Sequence, residues 1–240
     1  MHKFKHDAEE IQFNQDEAII VATDNSGAIG MKPLDTVQID YKTMSYYAFR
    51  VAYMECVAAG GEPFSVIIHN FNDEKVWDEL ISGITLGLKE VGLASISITG
   101  STETNFKLDQ SALGLVILGK KVREKNTFVN AESFEMAIIG KPMVGQAVKD
   151  NEKSVVPLRL YDNISKMPEV TLIRPMSSKG IKYEVDRQIN QSFIYPTDLD
   201  ICKSAGPATC FLVIYDSKIH DTIKELAGEH LQMIEPILNL

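Results

Sequence analysis

Between residues 17 and 122, short β-branched runs alternate with two long proline-free segments. That alternation restricts the chain to sheet packed against helix, because each kind of segment must bury an apolar face on the other. Residues 17–23 read as a strand and 35–40 as a short second one. Residues 64–71, 95–99 and 112–122 read as three more. Residues 41–59 lack Gly and Pro and read as a helix stopped by Gly60-Gly61. Residues 73–91 read as an amphipathic helix. Trp77, Leu80, Ile81, Ile84, Leu88 and Val91 share one face, and Gly92 ends it. The expected order is β-β-α-β-α-β-β.

Residues 123–132, REKNTFVNAE, are polar and break this pattern, so a domain boundary is placed there. The expected domains are 1–125 and 133–240. In the second, strands are expected at 134–139, 170–173 and 210–215, helices at 156–165, 180–191 and 219–226, and a last strand in the tail HLQMIEPILNL. The 240 residues suffice for one large or two small domains, and 45% hydrophobic with 24% charged residues is an ordinary globular balance. A formal net charge of -9 argues against nucleic acid or an anionic membrane as the main partner. A local site can still take a small anion. No run of about 18 apolar residues exists, and the first residues lack the apolar core of a signal peptide. Cys56, Cys202 and Cys210 are few and widely spaced, as expected of a reducing cytoplasm without disulfides. No spacing suits structural zinc.

Four stretches could carry chemistry. Thr23-Asp24-Asn25-Ser26-Gly27 ends a strand with an acid among small residues. Glycine lets backbone N–H groups approach phosphate oxygens, and a carboxylate can hold Mg²⁺ that bridges to phosphates. An ordinary Asx turn explains the same residues. Glu55 falls on the apolar stripe of the first helix, seven residues after Ala48, four after Val51 and three after Ala52. An acid there must be exposed at the helix end, paired or bound to a cation. Gly100-Ser101-Thr102-Glu103 again follows a strand and mixes glycine, hydroxyls and an acid. Met176-Ser177-Ser178-Lys179-Gly180 opens a helix, with Ser177 or Ser178 as its expected N-cap. Lys179 is misplaced for the helix dipole unless an anion sits beside it or solvent surrounds it. Residues 203–209, KSAGPAT, could close the same pocket. The five histidines form no triad; His69 lies at a strand end. No P-loop and no Rossmann glycine pattern is present.

Taken in order, these pieces resemble the aminoimidazole ribonucleotide synthetase superfamily, which includes thiamine-monophosphate kinase, selenophosphate synthetase and the hydrogenase-maturation dehydratase. Thr23-Asp24 with Gly27 is similar to its first acidic motif. Glu55-Cys56-Val57-Ala58-Ala59-Gly60-Gly61-Glu62-Pro63 is similar to D-L-x-x-x-G-A-x-P. Gly100-Ser101-Thr102 lies where members carry G-D-T. The resemblance implies an α+β, two-domain synthetase-like fold, with an amino-terminal mixed-sheet dimerisation domain and a smaller carboxy-terminal α/β domain. It implies a homodimer sharing a barrel-like sheet, and ATP and Mg²⁺ as cofactors.

Carried over residue by residue, Asp24 and Glu55 would hold the metal. Asn25, Gly27, Gly100, Ser101, Thr102 and Glu103 would line the nucleotide site, and Lys179 would neutralise transferred charge. Three departures stand out. Glu55 is one methylene longer than the usual Asp. Ser101 replaces an acid, for which Glu103 or Asp109 could compensate. Lys179 stands where several members have an acid. The expected activity is ATP-dependent phosphorylation of a small hydroxyl-bearing metabolite, with α-ribazole kinase of cobalamin salvage as the sub-family expectation. A thiamine-monophosphate kinase-like enzyme, a cyclo-ligase-like enzyme and a non-catalytic nucleotide-binding protein are the alternatives.

Overall fold

The computed structural model describes residues 6–122, 133–189 and 192–237. Residues 7–122 form one compact unit, and His6 with 133–237 belongs to another. The boundary expected at 123–132 lies outside the described residues.

The first unit contains β1 (Glu9–Gln12), β2 (Glu17–Gly27), β3 (Ile29–Gly30), β4 (Val37–Gln38), α1 (Tyr41–Ala58), β5 (Glu62–Asn70), α2 (Trp77–Glu90), β6 (Ser97–Thr102) and β7 (Ala112–Val122). Its main sheet has the order β1-β2-β7-β5-β6. β7 runs antiparallel to both β2 and β5, and β6 runs parallel to β5. The carboxyl ends of β2, β5 and β6 therefore meet at one end of the sheet. The strand expected at 35–40 shrinks to Val37–Gln38, which pairs in parallel with β3. Strand β1 was not expected; its residues are mostly polar and exposed, as an edge strand's can be.

Helix α1 starts at Asp40, whose carboxylate accepts from Thr43 N. It is buried almost all round, from Tyr41 and Met44 to Met54 and Cys56, because the sheet lies on one side and α2 on the other. Two glycines of α2 allow the close crossing. A Cβ at Gly83 would overlap the Lys42 carbonyl oxygen, and one at Gly87 would overlap the Phe49 ring. Ser45 Oγ also donates to Leu80 O across the crossing at 2.8 Å. Alanine is the better helix former by about 1 kcal/mol, but forcing the helices apart costs about 1–3 kcal/mol. Gly83→Ala is therefore expected to lower the urea midpoint. A raised midpoint would show that propensity outweighs packing.

The second unit contains β8 (Phe134–Gly140), α3 (Gln146–Asp150), α4 (Leu158–Ser165), β9 (Val170–Pro175), α5 (Gly180–Gln188), β10 (Phe193–Ile194), β11 (Cys210–Asp216), α6 (His220–Ala227), β12 (Leu231–Met233) and β13 (Glu235–Pro236). Its four-stranded sheet is antiparallel, in the order β12-β8-β11-β9. Every residue of β11 is buried, because helices cover both faces. Ile181 and Val185 of α5 pack against Leu212 and Ile214, while Tyr161 of α4 meets Phe211 edge to face at 5.0 Å. The expected tail strand is two short pieces separated by Ile234, and α5 ends at Gln188 rather than 191. No helix among the described residues is long and apolar enough to cross a membrane.

Candidate functional site

Strand alternation decides what the sheet end can assemble. Ala18, Ile20 and Ala22 are buried on the helix-covered face, and Asp24 is the next residue on that face. It pairs with Leu115, which pairs with Ile68, which pairs with Gly100. One row further on stand Ser26, Leu113, Asn70 and Thr102. Asn25, Gly114, His69 and Ser101 form the intervening row and point to the opposite face, where Asn25, His69 and Ser101 are exposed. The sequence-predicted residues thus fall into two groups. Asp24, Gly100 and Thr102 share one face; Asn25, Ser101 and His69 share the other.

Asp24 is half-buried, and burial pushes its carboxyl up to about 7 from an ordinary 3.8. A hydrogen bond from the Asn25 backbone N–H opposes that rise. Among the described residues, no cationic side chain contributes to it. A desolvated acid at a strand end is a suitable oxygen ligand for a hard cation, since bound charge would restore the ionised form. Among the described residues, no group of three or more His, Cys, Asp or Glu gathers to hold a metal. Asp24 is thus, among the described residues, a lone carboxylate at this sheet end and could give a cation one protein oxygen.

Glu55 is buried, which removes exposure as the explanation for an acid on an apolar stripe. Its neighbour Cys56 lies beside Gly119, which pairs with Ile20, whereas Asp24 pairs with Leu115. The two levels are four residues apart along β7, roughly 13 Å at ~3.3 Å per residue. Helix α1 begins at the Asp24 end, where Tyr41 Oη lies 3.3 Å from Ser111 Oγ, and carries Glu55 away from it.

The glycines differ in their reasons. A Cβ at Gly27 would meet nothing within 4 Å, so the chain leaves room there. A Cβ at Gly100 would overlap the Ile68 carbonyl oxygen, so strand pairing itself demands glycine. Glu103 lies past the end of β6. Its carboxylate accepts from the backbone N–H of Asn105 at 2.6 Å and Phe106 at 3.1 Å, which holds it below its ordinary value. Asp109 is exposed in the loop that follows.

Sequence reasoning missed the residues that bind these loops together. Asn70 Nδ2 donates to Thr102 Oγ1 at 3.2 Å and to Asp73 O at 2.9 Å. Asn72 exchanges two 3.0 Å bonds with the backbone of Ala112. Asp35 accepts from Ser111 N and Ser111 Oγ, both at 2.6 Å, and from Lys32 N at 2.8 Å. Burial raises the Asp35 carboxyl, but these bonds outweigh it and leave the group below its usual range. Ser111 O in turn accepts from Ala28 N. The only sequence signal was the Asn and Asp content of the turns.

Lys179 belongs to the second unit. It is the exposed residue preceding α5, and its ammonium folds over the Tyr183 ring at 4.5 Å. No side chain caps α5 at that position, so the expected serine N-cap is displaced; Ser177 Oγ accepts from Lys179 N one turn earlier. The loop 203–209 does meet this segment, with Ala205 N donating to Ser177 O at 3.1 Å.

No protein-family model matches this sequence, and no curated protein matches it. Solved structures match its fold. T. maritima PurL complexed with ADP aligns at a TM-score of 0.62 and 12% identity, over 98% of this chain and 42% of that one. A chain of the HypE–HypF complex aligns at 0.65 and 14%, over 98% of this chain and 88% of that one. E. coli HypE aligns at 0.62 and 10%, over 92% and 80%. The chain thus spans less than half of the PurL chain and most of HypE. Other matching PurL structures hold AMPPCP and ATP. The sheet order, the helices on one face and these alignments over nearly the whole chain give it the aminoimidazole ribonucleotide synthetase-like fold shared by PurL and HypE.

Proposed function

We propose that this chain is an ATP-dependent phosphotransferase acting on a small hydroxyl-bearing metabolite. The observation that carries the reading is Asp24, a desolvated carboxyl at the end of the sheet where three strand-end loops converge. The ATP- and ADP-bound PurL structures of the same fold support a nucleotide as the partner of that carboxyl. Mg²⁺, when bound, would supply charge neutralisation between phosphate oxygens, with Asp24 as its protein ligand. Gly27 alternates with Asn25, so the open space beside it lies on the face opposite Asp24. Thr102, oriented by Asn70, offers a hydroxyl on the face of Asp24. Lys179, Glu55, Asn25 and Ser101 remain part of this proposal as residues whose variants should be assayed. His69 serves poorly as a base for phosphates held by Asp24, since it projects from the other face. That open face carries Val21, Val116, Leu118 and Ile67 and is the surface on which a homodimer would form.

A second reading, a non-catalytic nucleotide-binding protein, draws on two observations. Ser101 stands where the family resemblance implies an acid, and it faces away from Asp24. Glu103 is committed to its own turn. One experiment separates the readings. The protein is incubated with Mg-ATP and a pool of nucleosides, vitamin precursors and their monophosphates, α-ribazole among them. Mass spectrometry is expected to show one pool member gaining a phosphoryl group while ATP is consumed. Tight nucleotide binding with no phosphorylated product would favour the binding protein, and no nucleotide binding would remove both readings.

A further inference from the structure

Lys32 sits in the turn between β3 and β4. Its ammonium donates to three backbone carbonyls and to nothing else among the described residues: Leu108 O at 2.9 Å, Gln110 O at 3.1 Å and Phe71 O at 3.3 Å. All three N–H donors are used. The three carbonyls come from two separate loops, one following β5 and one leading into β7. Among the described residues, no carboxylate lies within ion-pair distance of it. Asp35 is near enough to feel the charge, and it anchors the same turn to Ser111.

Carbonyl dipoles aimed at one point repel each other unless a positive charge occupies it, which is how backbone oxygens come to replace a cation's hydration shell. Lys32 has that geometry with the cation attached to the chain. The turn that carries Lys32 also holds Gln110, whose Nε2 donates to Leu34 O at 2.7 Å. Gln38 Nε2 closes the turn from behind through Lys32 O at 2.9 Å and Asp35 O at 3.2 Å. Gly30, next to it, is hemmed in by Ser111 and Asp35, so the turn has little freedom to move away.

We infer that Lys32 is a tethered monovalent cation. Its ammonium fills a carbonyl cage that a free monovalent cation or a primary alkylammonium would otherwise occupy. By filling it, Lys32 fixes its own turn between β3 and β4 and the loops after β5 and before β7 in one arrangement. Lys32 is thus a positioning residue for the sheet end; that last step rests on the reading of Asp24 as part of a nucleotide site, while the cage itself does not.

The test uses the full chain. Lys32→Ala vacates the cage, and Lys32→Gln keeps donors without charge. Thermal melts are recorded without nucleotide, in salts of ethylammonium, potassium, sodium and tetramethylammonium at matched ionic strength. Both variants are expected to melt several degrees below the natural protein in tetramethylammonium. Ethylammonium or potassium should return most of that loss to Lys32→Ala and little to Lys32→Gln, whose side chain obstructs the cage. Should Lys32→Ala fail to fold, its refolding yield in ethylammonium against tetramethylammonium reads the same question. A variant that melts like the natural protein, or one that no cation moves relative to tetramethylammonium, overturns the cage. Mg-ATP affinity is measured in parallel, with at least a tenfold loss expected in Lys32→Ala and recovery in ethylammonium. Cation rescue with no nucleotide binding by either protein would leave the cage standing and remove the nucleotide reading. Unaltered nucleotide affinity beside a rescued melt would remove the positioning role alone.

Discussion

Asp24→Asn is expected to make the free protein more stable at pH 8 and useless with nucleotide. The carboxyl is half-buried and pushed up to about 7, so it ionises reluctantly in the folded chain. Between about pH 4 and pH 7 the unfolded chain has already lost the proton that the folded chain keeps. The folded state binds more protons in that window, so stability falls as pH rises through it and levels off above pH 7. At about 1.4 kcal/mol per pK unit, discounted for solvent screening of a partly exposed group, the charge costs on the order of 2 kcal/mol. The neutral, nearly isosteric Asn removes this cost. The melting temperature at pH 8 should rise by about 5–10 °C for a unit of this size, and the natural protein's decline between pH 4 and pH 7 should flatten. Mg-ATP should raise the melting temperature of the natural protein by mass action and leave the variant's unchanged. Turnover should fall by about 10²–10³-fold. A variant that is less stable at pH 8, with its pH slope intact, would show that the charged carboxylate is satisfied within the fold.

The second large effect separates two glycines that look alike in sequence. Gly27 and Gly100 each sit in a strand end rich in small polar residues. Gly100→Ala must displace the Ile68 carbonyl, so β5 and β6 have to part locally. The expected loss is about 2–3 kcal/mol, read as a lower urea midpoint with an unchanged slope. Gly27→Ala meets open space on the face away from Asp24 and should leave both the midpoint, within about 0.5 kcal/mol, and nucleotide binding near the natural values. A stable Gly100→Ala protein with impaired binding would instead return Gly100 to the ligand.

These two glycines also show what could be read from the sequence. The elements themselves were legible. The apolar face running from Trp77 to Val91 becomes α2, and the β-branched runs become β2, β5 and β7. Helix α1 was found through its lack of Gly and Pro rather than through periodicity, because a helix buried on nearly all sides shows no polar face. The site was only half legible. Asp24 lies at the strand end that was expected. Its separation from Asn25 and Ser101 follows from strand register, and its distance from Glu55 from the direction in which α1 crosses the sheet. The clamp of Lys32, Asp35 and Ser111 joins residues 39 to 78 positions apart. No short pattern reports such contacts, since each residue alone looks like ordinary turn chemistry.

Strand β2 pairs with β7 along its whole length, from Glu17 to Gly27, without an irregularity. This gives the strand something like a reading frame. Losing one residue between Ala18 and Thr23 would turn Asp24 to the uncovered side and bring Asn25 or Thr23 inward, although every chemical group were kept. The same loss in the turn at 13–16, outside the frame, would leave the carboxylate where it is. Length changes are therefore tolerable in the turn at 13–16 and ruinous just after Glu17, for reasons of parity rather than of chemistry.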